Sequence, residues 1–184
     1  MKSHQMGEFR DRLTKLRLQA AQKEITWQSF GKLWAKAERQ STGNIFSSVG
    51  LSAESWSFTV RTQDLTMADA LDFNGYHHFI TSIERTKPGF WVIQTARVRI
   101  VNCKVRTEDG GASFPAALTE KYIRHAQQLP MAVNTTTFVL VTPKIVDLEE
   151  GGLVEVEGPL YEIQIAHRLD DFKNEFEIVR KEDL

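Results

Sequence analysis

A single cysteine, Cys103, occurs in the 184 residues. One thiol excludes an internal disulfide and a multi-cysteine zinc site. It reads as a half-buried strand residue. Long apolar runs are missing too. None approaches the roughly 20 residues of a spanning helix, and "MKSHQMGEFRDR" has no apolar h-region of a secretory signal. No membrane partner is expected. The net charge of -1 points to no partner by itself. No GxSxG, Walker loop, GxGxxG or HExxH is present. Among the five histidines only His77 and His78 are adjacent. Neighbours on a strand point to opposite faces, whereas zinc needs three or four converging ligands. Glu155 and Glu157 alternate with Val154 and Val156 like a solvated strand face. Asp147, Glu149 and Glu150 cluster only in sequence. No metal, no cofactor and no catalytic residue is expected.

What is present is ordinary globular material, with 41% hydrophobic and 26% charged residues. Charge is unevenly spread. Residues 1–40 hold nine Lys/Arg and four Asp/Glu, whereas residues 147–184 hold four and twelve. Two solvated faces would explain this. A basic start meeting the acidic end of a neighbouring copy would also explain it. Such head-to-tail contacts build rings when the rotation closes.

Alternation of apolar and polar residues dominates the chain. Residues 8–20 read as a short helix or turn leading into a strand. Gly31–Arg39 reads as a strand, with Leu33, Ala35 and Ala37 on one face and Trp34 interrupting the polar one. Gln40 to Ser55 forms a long polar loop with one charge, Glu54. Loops of that length are functional or disordered, and Ile45, Phe46, Val49 and Leu51 offer apolar docking groups. "SWSFTVRT" is a strand. Asn74-Gly75 suits a tight turn, because both residues tolerate positive φ. Lys87-Pro88-Gly89 is a second turn, and Phe90 to Val101 one long strand. Residues 114–129 read as a helix, capped by Ser113, with Pro115 in its first turn and Leu118, Tyr122, Ala126 and Leu129 as its stripe.

The later strands echo the earlier ones. "SFTVRT" (57–62) matches "TFVLVT" (137–142). "ALDFNG" (70–75) matches "LVEVEG" (153–158). "HHFITSIER" (77–85) matches "PLYEIQIAHR" (159–168), and "GFWVIQ" (89–94) matches "EFEIVR" (175–180). A degenerate duplication would produce this order, as would one larger mixed β domain. Trp56, Phe58, Phe90 and Trp91, near Arg61, Arg97 and Arg99, suggest a stacking platform for single-stranded nucleic acid. Their alternation with polar residues favours core positions. Trp34, Phe58, Phe79, Ile83, Phe90 and Val92 are expected in the core.

Three segments resemble a known family. "GEFRDRLTKLRLQ", "GKLWAKAERQSTG" and "FTVRTQDLTMADALDFNGYHHFITSIER" are similar in order and spacing to the phage head–tail joining proteins, also called head-completion or head-closure proteins. The likeness covers roughly residues 7–101. It implies a small antiparallel β-barrel with a long loop, assembled as a ring in the virion neck of a tailed phage, in the host bacterial cytoplasm. The ring, a dodecamer or hexamer, would close the DNA-filled head. Its implied partners are further copies of the chain, a portal or connector adaptor, and a tail or tail-terminator protein. Packaged double-stranded DNA would pass without sequence specificity. The implied channel loop runs through Gln40, Ser41, Thr42, Gly43, Asn44, Ile45, Phe46, Ser47, Ser48, Val49 and Gly50, acting as a stopper. Arg10, Arg12, Lys15 and Arg17 are the expected contacts to neighbours or connector. The first domain would span residues 1–111. Residues 112–184, a helix plus a second β module, depart from the family pattern. The alternatives are a tail-terminator or other neck protein, or an oligonucleotide- or ligand-binding β-barrel module.

Overall fold

The computed structural model describes residues 9–40, 54–107, 110–121, 137–168 and 171–181. Its regular elements are twelve strands: β1 Asp11–Ala21, β2 Glu24–Arg39, β3 Ser55–Arg61, β4 Ala70–Phe73, β5 Tyr76–Lys87, β6 Phe90–Val98, β7 Ile100–Val105, β8 Ser113–Lys121, β9 Thr137–Pro143, β10 Leu153–Val156, β11 Leu160–His167 and β12 Lys173–Arg180. The chain divides into two units. The first comprises residues 1–19, 26–45 and 52–99, the second residues 20–25, 46–51 and 100–184.

In the first unit the hydrogen-bonded order is β1-β4-β5-β6-β3-β2, and β2 pairs back onto β1. Six strands thus form a closed circuit with no free edge to template aggregation. Its core is built from Leu13, Leu33, Phe58, Val60, Leu71, Ile80 and Ile93, all buried. Fully burying a side chain such as Phe58 contributes about 2–3 kcal/mol. In the second unit the order is β7-β10-β11-β12-β9-β8, closed by β8 onto β7. Its core holds Phe114, Leu140, Val154, Ile163, Phe176 and Ile178.

The two circuits have the same connectivity. Numbering each unit's strands one to six gives the order 1-4-5-6-3-2 both times. Each of the four repeated segments falls on equivalent strands: β3 and β9, β4 and β10, β5 and β11, β6 and β12. The turns agree as well. Asn74 and Gly75 have φ of 54° and 79°, and Glu157 and Gly158 have 50° and 111°. Five residues beyond each turn glycine the next strand slips register, after Ile80 in β5 and after Ile163 in β11. Residues 40–54 join β2 to β3, and residues 122–136 join β8 to β9, fifteen residues each.

Several expectations are corrected. Residues 114–121 of the expected helix are strand β8, paired with β7 from Ile100↔Ala117 to Lys104↔Ser113 and with β9 from Ala117 onward. Two ladders override a modest helix preference. Pro115 is tolerated because β9 joins only two residues later, so one flank of the strand needs no N–H there. Residues 122–129 of that helix lie outside the described residues. The strand expected over residues 90–101 breaks at Arg99, between β6 and β7. β7 precedes residue 112, yet it pairs with β8 and β10 and groups with the second unit. Residues 11–20 are strand throughout. Trp34 is not core but 58% exposed. It shares the outward face of Lys32 and Lys36, and alternation decides its direction despite its size. Phe58 and Phe79 are buried, whereas Ile83, Phe90 and Val92 are half-buried.

Candidate functional site

The expected channel loop leaves β2 at Gln40 and returns at Glu54. Both ends are tied. The exposed Gln40 donates its N–H to the Ser55 carbonyl at 2.9 Å, and Arg97 donates its N–H to the Glu54 carbonyl at 2.8 Å. The Glu54 carboxylate takes Arg39 at 2.6 Å and Arg97 at 2.8 Å. The Arg97 guanidinium lies 3.5 Å from the centre of the Tyr76 ring, a cation–π contact. Its hydrogen bond, together with the charges of Arg39 and Arg97, holds the Glu54 carboxyl below the usual carboxylate range. The clamp joins three strands at the root of the loop. Ser41 to Gly50 lie outside the described residues. Glu54 was the one charge in an otherwise neutral stretch, which is the signal that could have marked it.

The four expected contact cations differ in what they do. Arg17 is bidentate to Asp69 at 2.7 and 3.0 Å, and Asp69 also accepts from the Thr66 N–H at 2.8 Å. The Asp69 hydrogen bond raises the Arg17 pKa further above its ordinary value. Arg17 therefore anchors the loop before β4, and its guanidinium also covers Phe30 at 4.1 Å. Lys15 reaches over Phe30 at 4.8 Å. Gly31 leaves it room, since a Cβ there would come 2.9 Å from Lys15 Cε. Arg12 stands 5.8 Å from the exposed Trp34 ring. Arg10 and Arg12 are solvent-exposed. Lys15 and Arg17 thus lie over Phe30 and Arg12 beside Trp34, rather than forming one bare basic patch.

Comparison with known protein families, curated proteins and solved structures finds no match for the chain.

His77 and His78 point to opposite faces. His78 is buried against Trp56, Phe58 and Phe73, with Nδ1 3.2 Å from the Thr95 hydroxyl. Burial pushes its pKa down to about 4, and the charge of Arg97 adds to this. His77 packs against Trp27 and Phe79 with ring centres 5.1 and 5.3 Å away. Burial, then His78, lowers it to about 3. Both are neutral at physiological pH. Cys103 is buried, and desolvation pushes its thiol up to about 12. Among the described residues no three His, Cys, Asp or Glu converge as metal ligands. Of the candidate stacking platform, Phe58 is fully buried and Trp56 packs on the same core. Phe90 stacks on Phe9 at 5.7 Å.

The two units differ most in charge. The first carries thirteen Lys/Arg against eight Asp/Glu, and the second ten against sixteen. Basic and acidic ends in sequence become basic and acidic units of identical connectivity.

Proposed function

We propose that this chain is a non-enzymatic structural protein of the neck of a tailed phage, forming a ring that closes the DNA-filled head and receives the tail. One observation carries the reading. The stretch that resembles head–tail joining proteins, residues 7–101, coincides with one complete six-strand circuit, β1 to β6. Its long loop falls between the second and third strands, as the resemblance requires, and is clamped at its root by Glu54. Each circuit is read as a small antiparallel β-barrel, the second being a duplicate of the first. The ring, a hexamer or dodecamer, would lie between a connector adaptor and a tail protein, with double-stranded DNA in the channel. Basic and acidic units favour head-to-tail contact between copies.

Electron microscopy of the purified protein, alone and with a connector ring, tests this. Rings, or decoration of the connector, are expected. A protein that stays monomeric with and without the connector would refute it. Deleting residues 43–50 should let packaged DNA leak while ring formation persists. Unchanged DNA retention would remove the stopper role from the loop.

A further inference from the structure

An open pocket of about 510 Å³ lies at the β5–β6 turn, lined by Thr62, Arg85, Thr86, Lys87 and Trp91 with the Pro88-Gly89 tip. Its construction is specific. Trp91 packs on the first core, and the Arg85 guanidinium sits 5.9 Å from the indole centre. β5 slips register between Arg85 and Lys87. A bulge re-aims side chains, and here both cations line the same pocket. Arg61 and Lys87 both pair with Phe90, one from each side. Arg17, Arg39, Arg97, Arg106 and Arg168 each have a carboxylate partner. Arg61, Arg85 and Lys87 have no ion-pair partner among the described residues. Two uncompensated cations, Arg85 and Lys87, two threonine hydroxyls and an indole wall suit a carboxylate carried on a partly apolar segment.

The second unit offers such a segment. From Ile145 to Glu149 alternate residues face outward: Ile145, Asp147 and Glu149 are exposed, while Val146 and Leu148 are buried. Ile145 is 61% exposed, unusual for so large an apolar group. Asp147 is engaged by Arg168 at 2.7 Å. Glu149 has no ion-pair partner among the described residues. We infer that the Arg85–Trp91 pocket receives the Ile145–Glu149 edge of a second copy, with Glu149 against Arg85 and Lys87 and Ile145 toward the indole. This rests on the self-assembly reading and names its contact.

A fluorescent peptide of residues 144–151, titrated with the full-length protein, tests the pocket apart from ring formation. Anisotropy should rise with wild type, weaken with salt, and weaken about tenfold or more for Arg85→Glu/Lys87→Glu. A Glu149→Arg peptide should bind that double variant better than it binds wild type. Equal affinity for wild type and variant, or no binding, overturns the assignment even where rings are seen. A labelled oligonucleotide run in parallel separates the rival occupant. Binding of the oligonucleotide but not the peptide, lost in the double variant, would assign the pocket to nucleic acid and overturn the proposal. A protein monomeric by microscopy with and without the connector, while the peptide binds, would refute the neck reading and leave the pocket's chemistry standing.

Discussion

Acidification should loosen the first unit before its carboxylates titrate. His78 and His77 are held neutral, with pKa values lowered to about 4 and about 3 from an ordinary 6.5. Between 6.5 and the folded values, the unfolded chain takes a proton that the folded chain refuses. Stability is therefore full above the unfolded pKa and falls as pH drops toward the folded one. At 1.36 kcal/mol per pH unit, His78 alone costs about 2 kcal/mol on going from about pH 7 to about pH 5. His77 is half-buried with its Nε2 shielded from solvent, and adds about 1 kcal/mol in the same direction. With a urea m-value of about 1.5 kcal/mol/M, the midpoint should fall by about 1.5–2 M. Tryptophan fluorescence isolates the event, because all four tryptophans, Trp27, Trp34, Trp56 and Trp91, belong to the first unit. The double variant His77→Gln/His78→Gln should lose most of the pH slope, whatever its own stability. A wild-type midpoint that moves by less than about 0.3 M over that range would refute the reasoning. So would a double variant with the full slope.

Other outcomes follow from single contacts. Arg17→Ala leaves the Asp69 carboxylate, with its side chain 2% exposed, without its counter-charge. Thermal melts should show a loss of about 2–3 kcal/mol, and Asp69→Asn should partly rescue Arg17→Ala. Phe58→Ala should cost about 3–5 kcal/mol in urea unfolding, whereas Trp34→Ala should change stability by less than about 0.5 kcal/mol, as an exposed site does. Cys103 should react with a thiol reagent only on unfolding, because its thiolate is suppressed. If ion pairs hold copies together, sedimentation should show the assembly dissociating as salt rises.

The sequence carried more of the topology than of the site. Four strand pairs and both turns were legible, because alternation and the glycine that ends the second repeated segment are visible in both halves. Residues 114–121 misled because Ala116, Ala117 and Leu118 prefer helix only when nothing pairs with them, and here β7 and β9 do. Trp34 misled through its size. Its neighbours Lys32 and Lys36 already marked its face as the outer one. The Glu54 clamp and the Arg17–Asp69 pair join residues 43 and 52 positions apart. No local pattern announces contacts of that range. The pocket escaped notice because Phe90 and Trp91 read as plain core, and the bulge that turns Lys87 toward Arg85 has no sequence signature.

The register slips after Ile80 and Ile163 act as parity switches. Before the slip, His78 and Ile80 face the first core, and regular alternation would next send Ser82 inward and Ile83 out. The extra residue reverses this, so that Ile83 packs inward opposite Ile93. The same switch in β11 brings Ala166 to the second core and leaves Ile165 43% exposed. Removing Thr81 or Gln164 would take out the bulge and leave every later pair in place, Ser82 with Gln94 and Ile165 with Glu177. A ladder that instead ran on through Thr81 or Gln164 would exchange inside for outside along the rest of that strand, carrying Arg85 away from the Trp91 indole in one unit and burying Ile165 in the other.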